Sequence, residues 1–209
     1  SLALANEQSK ISVDMVPRIK KMPMDTAYDL FKDIYASGRP TSEVFEQLNN
    51  ITAAAIRSAT VSEKTKVAFY ELLQEKAKFH LAADAGDPRY PFFISNFYRQ
   101  IGDKVQSLAY AKEAYNLSPN KESFAYMVAL AEISNGNAKE ALGYVKKAYE
   151  AEPGNEEALR YYAYVSFEEA RTVNKTFDSI KVGKIAQFLA DGYREHGHLI
   201  VLDPELWSV

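Results

Sequence analysis

The chain has 209 residues, 47% of them hydrophobic and 25% charged, with a formal net charge of −3. That balance suits a globular protein with its own core and argues against a general nucleic-acid binder, which needs a basic field to displace counterions. There is no cysteine, which excludes disulfides, thiolate metal sites and a cysteine nucleophile.

Residues 1–24 mix small, polar and basic side chains and are interrupted by Pro17 and Pro23, so they read as a linker or loosely packed lead-in. Arg18, Lys20 and Lys21 within it read as a solvated basic cluster. The chain starts at Ser1, and Leu2–Ala5 is too short for a signal-peptide core, which suggests a fragment of a longer polypeptide. No apolar run approaches the length of a membrane span.

Helical periodicity begins at Asp25, with Ala27, Leu30, Phe31 and Ile34 recurring at three and four residues. Gly38-Arg39-Pro40 ends that segment. A second helix is expected from about Thr41, with Val44, Phe45, Leu48, Ile51 and Ala55 on one face. A third is expected from the cap at Ser62 to about Ala85. These N-terminal helices, 25–87, are expected to pack on the segment that begins at residue 88. Nothing alternates with period two, so no sheet is expected.

From residue 88 the sequence repeats itself. Laying 88–121 over 122–155 matches Gly102 with Gly136, Leu108 with Leu142, Tyr110 with Tyr144, Lys112 with Lys146, Ala114 with Ala148, Tyr115 with Tyr149 and Pro119 with Pro153. Random pairing over the eighteen positions would supply about one identity. Each glycine sits where one helix must reverse into the next, a position suited to the left-handed cap. Ser107 and Ala141 fall where paired helices cross closely, and each proline ends the second helix. A divergent third unit, 156–195, keeps Leu159, Tyr162, Ala163 and Val165. It then loses the glycine in an enlarged loop over 171–178, before a helix from about Ser179 to Glu195.

A 34-residue helix–turn–helix with this small–Gly–small–Ala–Pro spacing resembles the tetratricopeptide repeat (TPR). Ser95, Ala129 and Ala163 stand at the family's small position. Its aromatic position holds Tyr98 in the first unit but Glu132 in the second. The resemblance implies an all-α, right-handed superhelical solenoid of antiparallel helix pairs. Its register puts Arg89, Phe92, Asn96, Arg99 and Gln100, then Tyr126 and Leu130, then Arg160, Tyr164 and Phe167, on the concave face where a ligand would lie. For Phe92, Tyr126 and Phe167 two readings stand, ligand contact or packing between helices. Tyr110, Tyr115, Tyr144 and Tyr149 fall on second helices and are expected in the core between repeats.

Asp87-Pro88-Arg89-Tyr90-Pro91, Phe97-Tyr98-x3-Gly102, Ala111-x2-Ala114-x2-Leu117-Ser118-Pro119 and Ala158-x3-Tyr162-Ala163 are also similar to the soluble TPR region of bacterial O-antigen ligase and polymerase-like membrane proteins. That narrower resemblance implies fusion to membrane segments, an extracytoplasmic place in the cell envelope, and a glycan or envelope partner. Without it, a cytoplasmic adaptor is the expectation.

Catalytic chemistry finds no foothold. His80 lies on a long helix without a second ligand at metal-binding spacing, and His196-Gly-His198 lacks the further ligands a metal needs. Glu156-Glu157 and Glu168-Glu169 diverge by about 100° on a helix. No phosphate-cradling glycine loop or nucleophile elbow is present. The expectation is therefore a non-catalytic scaffold without cofactor or metal, holding a protein or peptide segment. For the tail 196–209, with Trp207, two readings stand, docking of Leu199–Val209 as a capping segment, which is preferred, or an exposed apolar end.

Overall fold

The computed structural model describes residues 22–38, 40–171, 176 and 178–196, with backbone alone at Tyr193 and His196. Arg18, Lys20 and Lys21 of the lead-in, most of the expected 171–178 loop, and the tail with His198 and Trp207 lie outside the described residues. Nine helices and no strand are found among the described residues. The chain divides into two compact units, Ser1–Leu117 and Ser118–Val209. The 34-residue unit 88–121 thus falls largely with the N-terminal helices, and the other two repeat units fall in the second compact unit.

The first compact unit holds α1 (Met24–Ala36), α2 (Ser42–Arg57), α3 (Glu63–Ala83), α4 (Arg89–Ile101) and α5 (Lys104–Leu117). Ser62 starts α3 by accepting a hydrogen bond from the Thr65 amide at 3.1 Å, an N-cap worth about 1 kcal/mol. Helices α2 and α3 form one antiparallel pair, α4 and α5 a second, and α4 packs on both members of the first. The buried core runs from Phe31 of α1 through Phe45 and Leu48 of α2 and Phe69 and Leu73 of α3 to Phe97 of α4. Helix α1 lies along α3, with Tyr28 edge-on to Phe69 at 5.4 Å.

His80 is enclosed in this core at 0% exposure. Its ring stacks on Tyr90 at 4.5 Å and 12°, with Phe45 and Phe79 against it at 4.9 and 5.2 Å and Asp84 Oδ2 3.5 Å from Nδ1.

The turn from α4 to α5 has the geometry the repeat demands. Gly102 sits at φ +83°, and the Asp103 amide reaches back to the Tyr98 carbonyl at 2.9 Å. This is the Schellman closure that glycine permits. Asp103 then accepts from the Gln106 amide to begin α5. The two helices cross at Ser95 and Ser107, both buried, with Ser95 Oγ donating to the Ser107 carbonyl at 2.8 Å.

The second compact unit holds α6 (Glu122–Ser134), α7 (Ala138–Ala151), α8 (Glu156–Ala170) and α9 (Ser179–His196). It repeats the same device 34 residues on. Gly136 again has φ +83°, the Asn137 amide bonds the Glu132 carbonyl at 2.9 Å, and Ala129 and Ala141 meet at the crossing with no exposed surface. Asn155 caps α8 through the amides of Glu157 and Ala158 and donates to Glu122 of α6 at 2.9 Å. Asp178 restarts the chain as α9, accepting from the Ile180 and Lys181 amides. Helix α9 comes close to α8 at Gly192, where a Cβ would meet Leu159 Cδ2 at 3.2 Å.

The four second-helix tyrosines are all half-buried rather than fully enclosed. Tyr110 stacks on Tyr98 at 5.8 Å within the first compact unit. Tyr149 stacks on Tyr162 at 5.5 Å and meets Phe188 of α9 edge-on at 5.1 Å.

Two glycines of the second unit differ in a way stability can read. Gly136→Ala places a Cβ on a left-handed residue and should cost about 1–2 kcal/mol. Gly143→Ala, in the middle of α7 with nothing beyond its own helix backbone within 4 Å of the added carbon, should raise stability by about 0.5–1 kcal/mol. Urea unfolding of the two variants should move the midpoint in opposite directions.

Candidate ligand-binding face

The expected ligand face starts on α4. Spacings of three and four from Arg89 through Phe92, Asn96 and Arg99 align these residues along one side of that helix. Arg89 is already committed. It forks onto Asp87, with Nη2 2.7 Å from Oδ2 and Nε 3.1 Å from both oxygens, and its amide bonds Oδ1 as well. These bonds lower the Asp87 pKa and raise that of Arg89. Arg89 thereby fastens the start of α4. Phe92 is half-buried against Phe93, ring centroids 5.8 Å apart.

Further along α4 the surface opens. Asn96, Arg99 and Gln100 line one side of a cleft of about 200 Å³, and Glu46, Asn49 and Asn50 of α2 line the other, with Phe93 completing it. Arg99 is exposed and donates to Asn96 Oδ1 at 3.4 Å. Gln100 reaches across, donating to Asn50 Oδ1 at 3.2 Å, while its own carbonyl oxygen accepts from Arg57 Nη2 at 3.4 Å. Desolvation raises the Glu46 pKa, and Glu43, one turn earlier, adds to it.

Sequence reasoning reaches only half of this cleft. It places Asn96, Arg99 and Gln100 but misses Glu46, Asn49 and Asn50, because the repeat register runs only from residue 88 onward. The available signal is the Asn49-Asn50 pair in the middle of the apolar face of α2, where a polar residue needs a reason.

In the second compact unit, the predicted aromatics turn inward. Tyr126 and Tyr164 are 3% and 5% exposed. The Tyr126 ring stacks on Tyr161 at 4.2 Å and 12°, and its hydroxyl donates to Glu122 Oε2 at 3.3 Å. Burial, then the Glu122 carboxylate, pushes its pKa up. Of the two readings open for Tyr126, this geometry is that of packing. Leu130 and Phe167 are half-buried, as is Arg160, whose Nε is buried without a hydrogen-bond partner.

Glu132, at the family's aromatic position, is 2% exposed and accepts from Asn137 Nδ2 at 2.7 Å. A larger cleft of about 390 Å³ lies beside Gly136, Glu140, Glu168 and Glu169. Two of its carboxylates are already paired, Glu168 with Arg171 at 3.1 Å and Glu169 with Lys181 at 2.6 Å. Among the described residues, no group of three His, Asp or Glu side chains could hold a metal ion. No helix among them is long and apolar enough to cross a membrane.

No protein-family model matches the chain, and no curated protein does. Solved structures do. The chain is similar to a crystal structure of MamA protein, a TPR-repeat protein, at 13% identity and a TM-score of 0.58, covering 94% of this chain and 97% of that one. A MamA RS-1 ArsTM double mutant matches at 12% identity and the same TM-score, covering 91% and 95%. At those identities the likeness is one of fold, and the fold is TPR-like and all-α.

Two variants separate packing from presentation. Tyr126→Ala should destabilise the protein by about 3–5 kcal/mol, the cost of a large aromatic truncated in a core, read as a lowered midpoint in chemical denaturation. Glu46→Gln should have the opposite sign. The unfolded carboxyl ionises near its ordinary value of about 4.3, the folded one higher, so wild-type stability falls as pH rises through that window. The variant should be more stable than wild type at pH 7 and equal to it near pH 3.

Proposed function

We propose that this chain is a non-catalytic protein-binding scaffold that holds a partner segment against the first helices of its pairs. The observation that carries the reading is the open, amide-lined cleft between α2 and α4, two first helices set side by side. Asparagine and glutamine side chains each offer both donors and acceptors, which suits the alternating groups of an extended main chain. Arginine and a neighbouring aromatic add the side-chain types enriched at protein interfaces. The TPR-like fold supports the same reading, since helix pairs of this kind form extended binding surfaces.

The buried setting of His80, the one histidine whose side chain is described, supports a structural role for it rather than a catalytic one. The solved neighbours lend no support to the O-antigen-ligase resemblance or to a glycan ligand, and neither enters the proposal.

Selection of a random twelve-residue peptide library on the full chain tests it. A recurring peptide sequence should emerge, and its affinity should fall at least about tenfold, or 1.4 kcal/mol, in an Asn96→Ala/Arg99→Ala variant with an unchanged circular-dichroism melt. Failure to enrich any sequence, or equal affinity for the variant, overturns the reading.

A further inference from the structure

Asn49 is the least expected residue in the α2–α4 cleft. It lies on the cleft wall at 2% exposure, and its Nδ2 donates to the Phe45 carbonyl at 2.8 Å, which fixes the amide's orientation. Its Oδ1 has no hydrogen-bond partner. A buried acceptor left unmade is costly and rare in folded proteins, and calls for an absent donor. One turn earlier on the same face stands Glu46, whose carboxylate has no ion-pair partner among the described residues. The wall from α2 therefore holds a carboxylate and, buried beside it, an unsatisfied carbonyl oxygen, both acceptors.

The facing wall is complementary. Phe45 meets Tyr90 and Phe93 at 5.6 and 6.5 Å, and Asn50 meets Gln100, so α2 and α4 run in the same direction. In that register Glu46 is level with the middle of α4 and Arg99 lies about one turn, ~5.4 Å, further along. Arg99 uses only a long bond to Asn96 and keeps donors to spare.

We propose that the α2–α4 cleft receives the ammonium of a lysine side chain from a partner polypeptide, on Glu46 and Asn49, with an adjacent main-chain carbonyl taken by Arg99. This rests on the scaffold reading and names the chemistry of its ligand. An anion would be repelled by Glu46. A water molecule would satisfy Asn49 but leave the Glu46 charge uncompensated. A compact ammonium carries three donors and a full charge, and matches both. The Gln100–Asn50 and Arg57–Gln100 bonds across the cleft are long, at 3.2 and 3.4 Å, and an incoming donor can displace them. The raised Glu46 pKa has the same source, a carboxylate losing water without gaining a cation.

The test is amide NMR on the full, ¹⁵N-labelled chain. The probes are acetyl-Gly-Gly-Lys-Gly-Gly-amide, the same peptide with Nε-acetyl-lysine, and methylammonium chloride at matched ionic strength. The lysine peptide should shift the side-chain amide signals of Asn49 and Gln100 saturably, and acetylation should abolish the shift. Glu46→Gln should weaken binding at least about tenfold with a melt no lower than that of wild type, and methylammonium should act on the same signals about tenfold more weakly. No saturable shift, an equal shift with acetyl-lysine, or undiminished binding to Glu46→Gln overturns the proposal. Methylammonium binding as tightly as the peptide overturns the polypeptide source in favour of a free amine. If these fail while library-selected peptides still bind and still depend on Asn96 and Arg99, the lysine assignment falls alone. If neither class of peptide binds, the scaffold reading falls with it.

Discussion

The closest approach of two helices in a pair is the constraint on which both compact units depend. Where α4 crosses α5 the side chains are two serines, and where α6 crosses α7 they are two alanines. All four are buried, and the approach is made possible by a glycine that reverses the chain in the left-handed region. With the pair this tight, residues such as Phe97 and Val128 on the first helices and Val145 on a second become wholly enclosed. The apolar faces of neighbouring pairs then supply the rest of the core.

That device is local, and so it is legible in the sequence. Gly102 and Gly136, the cap at Ser62, and the prolines that come after α5 and α7 act through their own backbone within a few residues. Spacing alone locates them. The crossing residues Ser107 and Ala141 come from the same register.

The ligand face is only partly legible, because which side chain a neighbour covers is not a local property. Tyr126 sits at the register position that points away from its own partner helix, yet Tyr161 of α8 stacks over it and buries it. The three cleft residues of α2 are hidden for a different reason. Helix α3 has 21 residues where α5 and α7 have 14, so the 34-residue offset breaks before residue 88 and α2 is not recognised as a first helix. Glu132 shows a further exchange. The first unit fills this place with Tyr98 stacked on Tyr110, and the second fills it with a carboxylate tied to Asn137. The same hole is closed once by an aromatic stack and once by a hydrogen bond.

The connection between α8 and α9 is closed at its base. The Asp178 amide donates to the Ala170 carbonyl at 3.0 Å, so the two ends of that segment are joined directly whatever lies between them. Helix α9 is seated independently, by Gly192 against Leu159 and by Phe188 between Tyr149 and Tyr162. The free energy of closing such a loop grows only with the logarithm of its length, about 0.6 kcal/mol per doubling. A longer segment between Ala170 and Asp178 would therefore add little to the cost of bringing α8 and α9 together.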